Sequence, residues 1–502
     1  MKQNILEYLE KSTAIFGEKT AVTDGSQSYT YRKLLDLTQR IGSALSYKVK
    51  PREVIAVLAE KSSDVVAIFL GIAQAGAFYV LLNPDLPVNR LSQIENVLEP
   101  NFIITDEEHL SIAVKLVNES HILMINDLKK ADVNEKRLLS IRSRMIDCDP
   151  LYANFTSGST GTPKGVIISH RSVLDFIDNF SELFGINSSD VIANQAPFDF
   201  DVSVKDIYTA LKTGATLLIV PRALFSQPAQ LLDFLCEHKV TTMIWAVSAL
   251  LLISTCHGLD YRTPVSVKRV LFSGEVMPLK HLNAWMSHLP DALFVNLYGP
   301  TEITCNCTYH IIDRNRNYEN GIPIGKPFPN ERVFLLNGDS LVTTPGAIGE
   351  ICVRGTALAL GYFRNPEQTD AAFVQNPLNT RYPEKIYRTG DLGVYTENGE
   401  ILFRGRKDFQ VKYMGHRIEL EEVEKTINGI EGIDRCCVVF DENKQRLHGF
   451  YIGNIERNDL HRQLRSLLPL YMIPGSLKKV DSFPITKNGK TDRRALLEEY
   501  SR

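Results

Sequence analysis

Apolar runs alternate with helix-spaced apolar residues along the first 110 positions of the chain. Residues 54–59 form a continuous apolar run suited to a buried strand, and residues 64–75 carry apolar side chains at helical spacing. Residues 78–82 and 102–105 are again strand-like. Such alternation is typical of a parallel sheet with helices on its faces. The pattern therefore predicts α/β architecture here.

The same alternation resumes beyond a glycine-rich stretch near residue 160. Strands are predicted at 242–247, 270–272 and 293–296, and helical stretches such as 228–238 separate them. Together with the first 110 residues, this region predicts two related α/β sheet layers.

Residues 325–407 have a different pattern, in which short strands are separated by Gly, Pro and Asn turns. The predicted strands are 332–336, 349–354, 387–388 and 401–404. Short strands with such turns predict a small antiparallel region or a distorted β-barrel.

The segment that begins at Asp408 predicts a separate α+β unit. Helices are expected at 419–428 and 459–468, and strands at 436–440 and 449–452. We therefore expect a large N-terminal domain over residues 1–407, made of two α/β layers and a small β-barrel, and a small C-terminal domain over residues 408–502.

Charge and composition narrow the class of protein. The 502 residues carry 56 Lys and Arg against 59 Asp and Glu, and a net charge of −3 favours neither nucleic acid nor an anionic membrane as a partner. No stretch approaches the roughly 20 apolar residues of a membrane span, and acids stand where a signal peptide needs an apolar run. The eight cysteines form no C-x-x-C or zinc pattern. These features predict a cytoplasmic protein with reduced thiols and no membrane insertion.

A loop at residues 156–165, T-S-G-S-T-G-T-P-K-G, predicts a phosphate cradle. Glycine lets the backbone approach a ligand closely, while backbone N–H groups, small hydroxyls and a lysine can surround phosphate oxygens. Lys164 lies between Pro163 and Gly165, so the Walker pattern G-x-x-x-x-G-K-[ST] is absent. A flexible Ser/Gly linker is the alternative, but it explains neither Pro163 and Lys164 nor the apolar run that follows.

This loop resembles the signature loop of the adenylate-forming enzymes. That family comprises acyl-CoA synthetases, luciferases, nonribosomal peptide synthetase adenylation domains and D-alanine:D-alanyl carrier protein ligases. Further family-like motifs follow in family order from about residue 29 to residue 493, including Y-T-Y-R-K-L, G-A-F-Y-V-L-L-N-P, N-L-Y-G-P-T-E, Y-R-T-G-D and I-T-K-N-G-K. Each motif is an independent test of the resemblance.

The resemblance implies a site for ATP and Mg²⁺. Tyr298 would stack on adenine, Thr301 would bond a phosphate oxygen, and Glu302 would be the Mg²⁺ ligand. Asp391 and Arg406 would hold the ribose. The implied nucleotide-binding residues are Thr156, Ser157, Gly158, Ser159, Thr160, Gly161, Lys164, Asn296, Tyr298, Gly299, Thr301, Asp391, Arg406 and Lys490. The implied catalytic residues are Lys490, Glu302, Thr156 and Lys164, with a hinge at Asp408 about which the C-terminal domain rotates as a mobile lid.

Asp201 distinguishes the classes within the family. Read alone, an acid before a helix is an N-cap. In the motif F-D-F-D-V-S it matches the acid with which amino-acid-activating members hold the substrate ammonium group. The implied side-chain pocket is lined by Asp201, Val202, Lys205, Trp245, Leu271, Ser273, Leu297, Cys305 and Asn306.

Several pocket residues bear on which amino acid is activated. Trp245 would fill much of the cavity and favour a small side chain, while Ser273 and Asn306 could bond a polar one. Val202, Leu271, Ser273 and Leu297 resemble serine-activating pockets. Lys205 either pairs with an acidic substrate or is an ordinary lysine on a helix surface.

The leading hypothesis is a stand-alone ligase that forms aminoacyl-AMP, releases pyrophosphate and transfers a small amino acid, such as serine or alanine, to the phosphopantetheine thiol of a separate carrier protein. The chain ends just beyond the Lys490 motif, so we expect no fused carrier domain. The function would belong to nonribosomal peptide synthesis or, as an alternative, to teichoic acid D-alanylation. D-alanine ligases carry a cysteine at the position of Ser273. Further alternatives are an acyl-CoA synthetase, against which Asp201 argues, and a non-enzymatic homologue, against which intact Lys164, Glu302, Asp391 and Lys490 argue.

Overall fold

A computed structural model describes residues 2–157, 163–442, 444–484 and 491–500. The strands are β1 Thr20–Thr23, β2 Ser28–Thr30, β3 Val54–Leu58, β4 Phe78–Leu82, β5 Ile103–Thr105, β6 Ile122–Met124, β7 Pro150–Thr156, β8 Lys164–Ser169, β9 Val191–Asn194, β10 Thr216–Ile219, β11 Thr242–Ala246, β12 Arg269–Ser273, β13 Leu293–Tyr298, β14 Thr308–Ile311, β15 Lys326–Pro327, β16 Glu331–Asn337, β17 Ser340–Leu341, β18 Ile348–Gly355, β19 Gly361–Tyr362, β20 Phe373–Gln375, β21 Lys385–Tyr395, β22 Ile401–Arg406, β23 Gln410–Tyr413, β24 His416–Glu419, β25 Ile433–Asp441, β26 Arg446–Gly453 and β27 Ser476–Lys479.

The α-helices are α1 Leu6–Phe16, α2 Tyr31–Ser46, α3 Ser63–Gln74, α4 Val88–Leu98, α5 Leu110–Leu116, α6 Ile125–Leu128, α7 Glu135–Arg142, α8 His170–Leu183, α9 Val202–Thr213, α10 Pro228–Glu237, α11 Val247–Thr255, α12 Gly258–Tyr261, α13 Leu279–His288, α14 Pro366–Ala372, α15 Leu420–Asn428, α16 Arg457–Leu467 and α17 Arg493–Tyr500. The mixed α/β fold class predicted from the alternating pattern is confirmed.

The chain divides into two compact units. The first comprises Met1–Leu82, Pro100–Asn154 and Gly165–Lys407, and the second comprises Asn83–Glu99, Phe155–Lys164 and Asp408–Arg502. The last segment of the second unit therefore begins at Asp408. The second unit also takes in two short stretches that the predicted boundaries, 1–407 and 408–502, assign to the first domain.

Two large sheets form most of the first unit. One has the strand order β15-β14-β13-β12-β11-β9-β10-β1-β2, and the other has the order β19-β8-β7-β4-β3-β5-β6. The neighbours β9, β10, β11, β12 and β13 are parallel, as expected where helices connect successive strands. Helices α8 and α9 share an apolar core with residues of both sheets.

A smaller antiparallel sheet completes the first unit. Its order is β17-β16-β18-β21-β20, and β22 pairs with β21. Strand β21 has 11 residues, far more than the two predicted at 387–388. Its register shifts opposite β18 and again opposite β22. Because these irregularities and Gly390 interrupt the two-residue alternation, the sequence pattern reveals only part of the strand.

The second unit contains a hairpin of β23 and β24 and a three-stranded sheet β25-β26-β27. Helices α15 and α16 supply apolar residues to the core beside these strands, including Val423, Ile427, Leu460 and Leu464. The predicted helices at 419–428 and 459–468 agree closely with α15 and α16.

All eight cysteines lie in the described part of the chain and are free thiols. Among the described residues, no helix is long and apolar enough to cross a membrane.

Candidate active site

Most of the predicted pocket residues lie at the carboxyl ends of β12 and β13 and at the start of α9. Leu271 pairs with Ile244 and Val295 in the parallel ladder, so their side chains share one face of the sheet. Leu271 and Leu297 pack in the same apolar core as α9. Ser273 ends β12 two residues after Leu271 and lies on the same face. This is the edge of a parallel sheet at which α/β proteins place their ligands.

Asp201 stands directly before α9 but does not cap it through its side chain. The residue is buried, and its backbone carbonyl accepts a hydrogen bond from Sγ of Cys305 at 3.0 Å. Val202, the next residue, is also buried. A capping role therefore does not account for this buried carboxylate.

Lys205 lies one helical turn further along α9 and is fully buried. Its Nζ is 2.6 Å from Oδ1 of Asn306 and 3.5 Å from Oγ of Ser273. The alternative of a lysine on the helix surface is therefore wrong. Burial lowers the pKa of the Lys205 ammonium group, and the nearby Cys305, Asp201 and Asp206 partly oppose that shift.

A tight turn positions Asn306. Thr304 and Cys305 both have left-handed backbones, with φ of 53° and 75°, which is uncommon for residues with a Cβ. The hydroxyl of Thr304 donates to the carbonyl of Ala357 at 2.7 Å, and the N–H of Asn306 donates to the carbonyl of Thr304 at 3.1 Å. Strained turns of this kind cluster at ligand sites.

Gly299 supports this turn from the opposite side. A Cβ built on Gly299 would lie 2.5 Å from Cα of Asn306, 2.7 Å from the carbonyl oxygen of Cys305 and 2.9 Å from the backbone N of Cys307. Only glycine allows so close an approach between backbone segments. This packing accounts for glycine at a position that the family resemblance assigns to nucleotide binding.

Trp245 lies on the other face of the sheet. It pairs with Phe272 rather than with Leu271 or Ser273, and it packs in the second apolar core. Its Nε1 donates to the carbonyl of Ala193 at 2.8 Å. Because successive side chains on a strand point to opposite faces, Trp245 cannot fill the pocket beside Leu271, and the expectation of a cavity made small by this ring does not hold.

Tyr298, Asp391 and Arg406 form a second cluster within the first unit. The hydroxyl of Tyr298 donates to Oδ2 of Asp391 at 2.5 Å, and Arg406 forms an ion pair with Oδ1. Asp391 is buried. Burial raises the pKa of Tyr298 well above its usual value, and the charge of Asp391 adds to that shift. The three predicted nucleoside residues are thus in direct contact.

Glu302 is fully buried in the short 3₁₀ turn Thr301–Ile303. Its Oε1 accepts a hydrogen bond from the hydroxyl of Tyr362 at 2.8 Å, and its backbone carbonyl accepts from the N–H of Ala359 at 2.9 Å. Tyr362 is not among the residues that sequence reasoning singled out for the site. It lies 60 positions away along the chain, and no local sequence pattern indicates this contact.

Glu302 is the candidate ligand for a Mg²⁺ ion. Among the described residues, no group of three or more His, Cys, Asp or Glu side chains could hold a metal. Mg²⁺ commonly keeps several waters and takes only one or two protein carboxylates, together with substrate phosphates. One oriented carboxylate at Glu302 meets that requirement.

Asn296 turns away from the pocket. It lies between Val295 and Leu297 on β13, and its side-chain amide donates to the carbonyl of Pro323 at 2.9 Å. Its described contact is therefore structural.

A buried polar network adjoins the pocket helix and was not predicted from the sequence. Asn194 donates to Oδ2 of Asp206 at 2.7 Å, and Lys61 donates to Oδ1 of Asn194 at 3.1 Å and to the carbonyl of Gln195 at 2.9 Å. Burial lowers the pKa of Lys61 to about 7 and raises that of Asp206. Because Lys61 is far in sequence from Asn194 and Asp206, no local motif predicts this network.

Several predicted phosphate residues belong to the second compact unit. Thr156 ends β7 with a buried hydroxyl that has no hydrogen-bond partner among the described residues. Ser157 donates to the carbonyl of Arg417 at 2.9 Å, and Lys164 begins β8. The side chain of Asp408 accepts from the N–H of Gln410 at 3.3 Å. Gly158, Ser159, Thr160, Gly161 and Lys490 lie outside the described residues.

The chain is similar in sequence to AMP-binding enzymes along most of its length. The family model described as AMP-binding enzyme matches residues 9–363. Zwittermicin A synthase ZmaJ from Bacillus cereus is 33% identical over 99% of this chain and 95% of its own length. Tyrocidine synthase 1 from Brevibacillus parabrevis is 30% identical over 99% of this chain, which spans only 45% of that larger protein.

A solved structure shows the same fold. Holo-PA1221, whose name describes a nonribosomal peptide synthetase protein that contains adenylation and PCP domains, superimposes with a TM-score of 0.84 at 25% identity. The match covers 99% of this chain and 84% of the other.

Proposed function

Because the chain belongs to the AMP-binding family of adenylate-forming enzymes, we propose that it activates an amino acid with ATP and passes it to the phosphopantetheine thiol of a carrier protein. The observation that carries this proposal is the buried carboxylate of Asp201, which does not cap the helix it precedes. A buried carboxylate recognises a cation, and an amino acid differs from a plain carboxylic acid by its ammonium group.

In the first step, the substrate carboxylate attacks the α-phosphorus of ATP. A bond forms between the carboxylate oxygen and phosphorus, the bond to the bridging oxygen breaks, and pyrophosphate leaves. The carboxylate is already ionised, so no general base is required. Catalysis then rests on positioning and on neutralising charge.

The chain's own residues divide that work. Tyr298, Asp391 and Arg406 would hold the nucleoside, while Thr156, Lys164 and Lys490 would bind phosphate oxygens and the substrate carboxylate. Glu302, oriented by Tyr362, would hold the Mg²⁺ ion, which supplies charge neutralisation when bound.

In the second step, the carrier thiol attacks the acyl carbon of the adenylate. A thioester forms, the thiol proton passes to solvent, and AMP leaves with the electron pair of the broken acyl–oxygen bond. We propose that Asp408 is the hinge about which residues 408–502 move between the two steps, so that Lys490 serves only the first. PA1221 contains both adenylation and PCP domains, and this combination supports a carrier protein as the acceptor.

Pyrophosphate exchange tests the first step. The substrate panel contains the L-amino acids together with D-alanine, D-serine, glycine and β-alanine. We expect one α-amino acid to dominate, and we expect its deamino analogue to lose at least about tenfold in rate because the Asp201 contact is lost. Equal exchange with the deamino analogue would refute the role of Asp201.

The acceptor is tested separately. Loading of a phosphopantetheinylated carrier protein is compared with thioester formation on free coenzyme A. The acyl-CoA synthetase alternative predicts efficient use of the free cofactor, whereas the proposed function predicts transfer to the carrier.

A further inference from the structure

Three polar side chains converge at the pocket end of α9. They are Lys205, Ser273 and Asn306, and all three are buried. The Nζ of Lys205 lies 2.6 Å from Asn306 Oδ1 and 3.5 Å from Ser273 Oγ. They come from a helix, a strand end and a turn, so tertiary structure alone brings them together.

Several hydrogen-bond donors of this cluster have no acceptor among the described residues. An ammonium group has three N–H donors, and in the described part of the chain Lys205 uses two. Over the same residues, neither the hydroxyl hydrogen of Ser273 nor the side-chain NH₂ of Asn306 has an acceptor. Because Asn306 turns its oxygen toward Lys205, its NH₂ group points elsewhere. The cluster therefore has more donor hydrogens than it uses in bonds to its own acceptors.

Lys61 provides an internal comparison. It is partly buried and meets three acceptors, the two oxygens of Asn194 and the carbonyl of Gln195. That arrangement completes its donor set, whereas the fully buried Lys205 meets two acceptors within the described part of the chain.

The charge of Lys205 is also unbalanced at short range. Two largely buried arginines of the first unit have carboxylate partners, Arg269 with Asp190 and Arg406 with Asp391. Among the described residues, no carboxylate oxygen lies within 4.0 Å of Lys205 Nζ. A buried charge without a close partner is unfavourable, so Lys205 would stabilise an anion bound at this site.

We propose that the amino acid activated here carries a carboxylate on its side chain, which binds to Lys205, Ser273 and Asn306. This inference rests on the proposed function. The substrate ammonium group then faces Asp201, which directly precedes α9 and lies four residues before Lys205. The closeness of the two charges on one helix favours a short side chain.

A purely structural role for Lys205 is the alternative. The turn that carries Asn306 is already fixed by the bonds of Thr304 to Ala357 and of Asn306 to Thr304. The apolar neighbours Leu271 and Leu297 hold the strand ends in the core. The turn and the strand ends therefore do not need a cation to hold them in place. A substrate with a hydroxyl group would not neutralise the charge of Lys205.

Isosteric substrate pairs provide the first test. Pyrophosphate exchange is measured on the unmodified protein with aspartate against asparagine and glutamate against glutamine, with serine and alanine as references. We expect kcat/KM for the better acid to exceed that of its amide by at least about tenfold, since a charge-assisted hydrogen bond is worth that much. An amide, serine or alanine that equals the acid overturns the inference while leaving amino acid activation intact. Absence of exchange with every amino acid refutes the proposed function itself.

A substitution on α9 then tests the residue. In Lys205→Met, which keeps the length of the side chain, the acid-to-amide ratio should fall to about one, mainly through a higher KM for the acid. The matched control is Lys212→Met on the same helix, because Lys212 contacts Asp178 and Glu182 instead of the pocket. A Lys205→Met variant that loses acid and amide activity equally would indicate a structural role. If that variant fails to fold, the substrate pairs on the unmodified protein decide the question.

Discussion

The hydroxyl group of Tyr298 donates a 2.5 Å hydrogen bond to Oδ2 of Asp391, across 93 residues of sequence. Arg406 holds the other carboxylate oxygen. An ionised carboxylate accepts about four hydrogen bonds, so Asp391 keeps capacity for the ribose hydroxyls that we propose it binds. The proposed adenine platform and the proposed ribose acceptor are therefore joined directly by a hydrogen bond.

This coupling predicts the behaviour of Tyr298→Phe. The ring remains available for stacking, but Asp391 loses a charge-assisted bond worth roughly 1.5–3 kcal/mol. We expect KM for ATP to rise about tenfold with a smaller change in kcat, measured by pyrophosphate exchange at saturating amino acid.

Tyr31→Phe is the control for that experiment. The hydroxyl of Tyr31 is also buried and bonds the carbonyls of Ala210 and Ala215. Its loss should lower stability without changing KM for ATP. If both variants raise that KM equally, the effect is general loosening of the fold, and the assignment of Tyr298 is wrong.

A second prediction concerns the orientation of Glu302 by Tyr362. Groups that orient a metal ligand commonly contribute about 10- to 100-fold in metal affinity or activity. Tyr362→Phe should therefore raise the Mg²⁺ concentration needed for half-maximal exchange about tenfold and be rescued by excess Mg²⁺. Glu302→Gln should lose activity that Mg²⁺ cannot restore.

The outcome separates two roles of Tyr362. Tyr362 also packs edge-on against Phe373, with ring centroids 5.8 Å apart, and the Phe substitution retains that contact. An unchanged Mg²⁺ dependence in Tyr362→Phe would show that the hydroxyl does not serve the metal ligand.

The sequence predicts regular elements well and side-chain partnerships poorly. Strand β11 and helix α10 agree with the predicted segments 242–247 and 228–238 to within about one residue, because their hydrophobic periodicity is local. Motif matching identifies Asp201 and Asp391 as candidates, but it cannot report that Tyr298 and Arg406 meet on one carboxylate.

Trp245 illustrates the same limit. A motif position gives no information about which face of β11 carries the side chain, and the pairing of Trp245 with Phe272 settles that question only in three dimensions. Lys205 shows the opposite case. Lysine is seldom fully buried, so sequence alone leaves a surface position open, whereas the packing of α9 places this lysine in the interior.

A third prediction concerns pH and Glu331. Burial raises the pKa of Glu331 to about 8, and nearby Asp175 adds to the shift, while bonds from Ala357 and Thr356 oppose it. Its Oε2 is buried without a hydrogen-bond partner among the described residues. In the unfolded chain this carboxyl ionises near pH 4.3. The contribution of protonated Glu331 to the unfolding free energy is therefore fully present below that pH. It is lost as the pH rises toward the pKa in the folded protein.

Glu331→Gln removes this proton dependence while keeping the acceptor for the Ala357 N–H. From pH 6 to pH 9, the unfolding free energy of the unmodified protein should fall relative to that of the variant by on the order of 1 kcal/mol or more. Urea unfolding at the two pH values measures the difference. An identical pH dependence in both proteins would show that Glu331 titrates normally.

The last prediction follows from the approach of Gly299 to the turn at residues 305–307. All three atoms that a Cβ would meet under 3.0 Å are backbone atoms, so no side-chain rotation can relieve the clash. Gly299→Ala must displace the turn, and with it Asn306 and the sulfur of Cys305 that bonds the carbonyl of Asp201. Because small misplacements of positioning groups can lower rates about 100-fold, we expect a loss of that order in adenylation. Gly429→Ala is the control, since its nearest contacts lie at 3.5 and 3.6 Å and it should stay fully active. Wild-type exchange by a folded Gly299→Ala would mean that the turn adapts and does not set the position of Asn306.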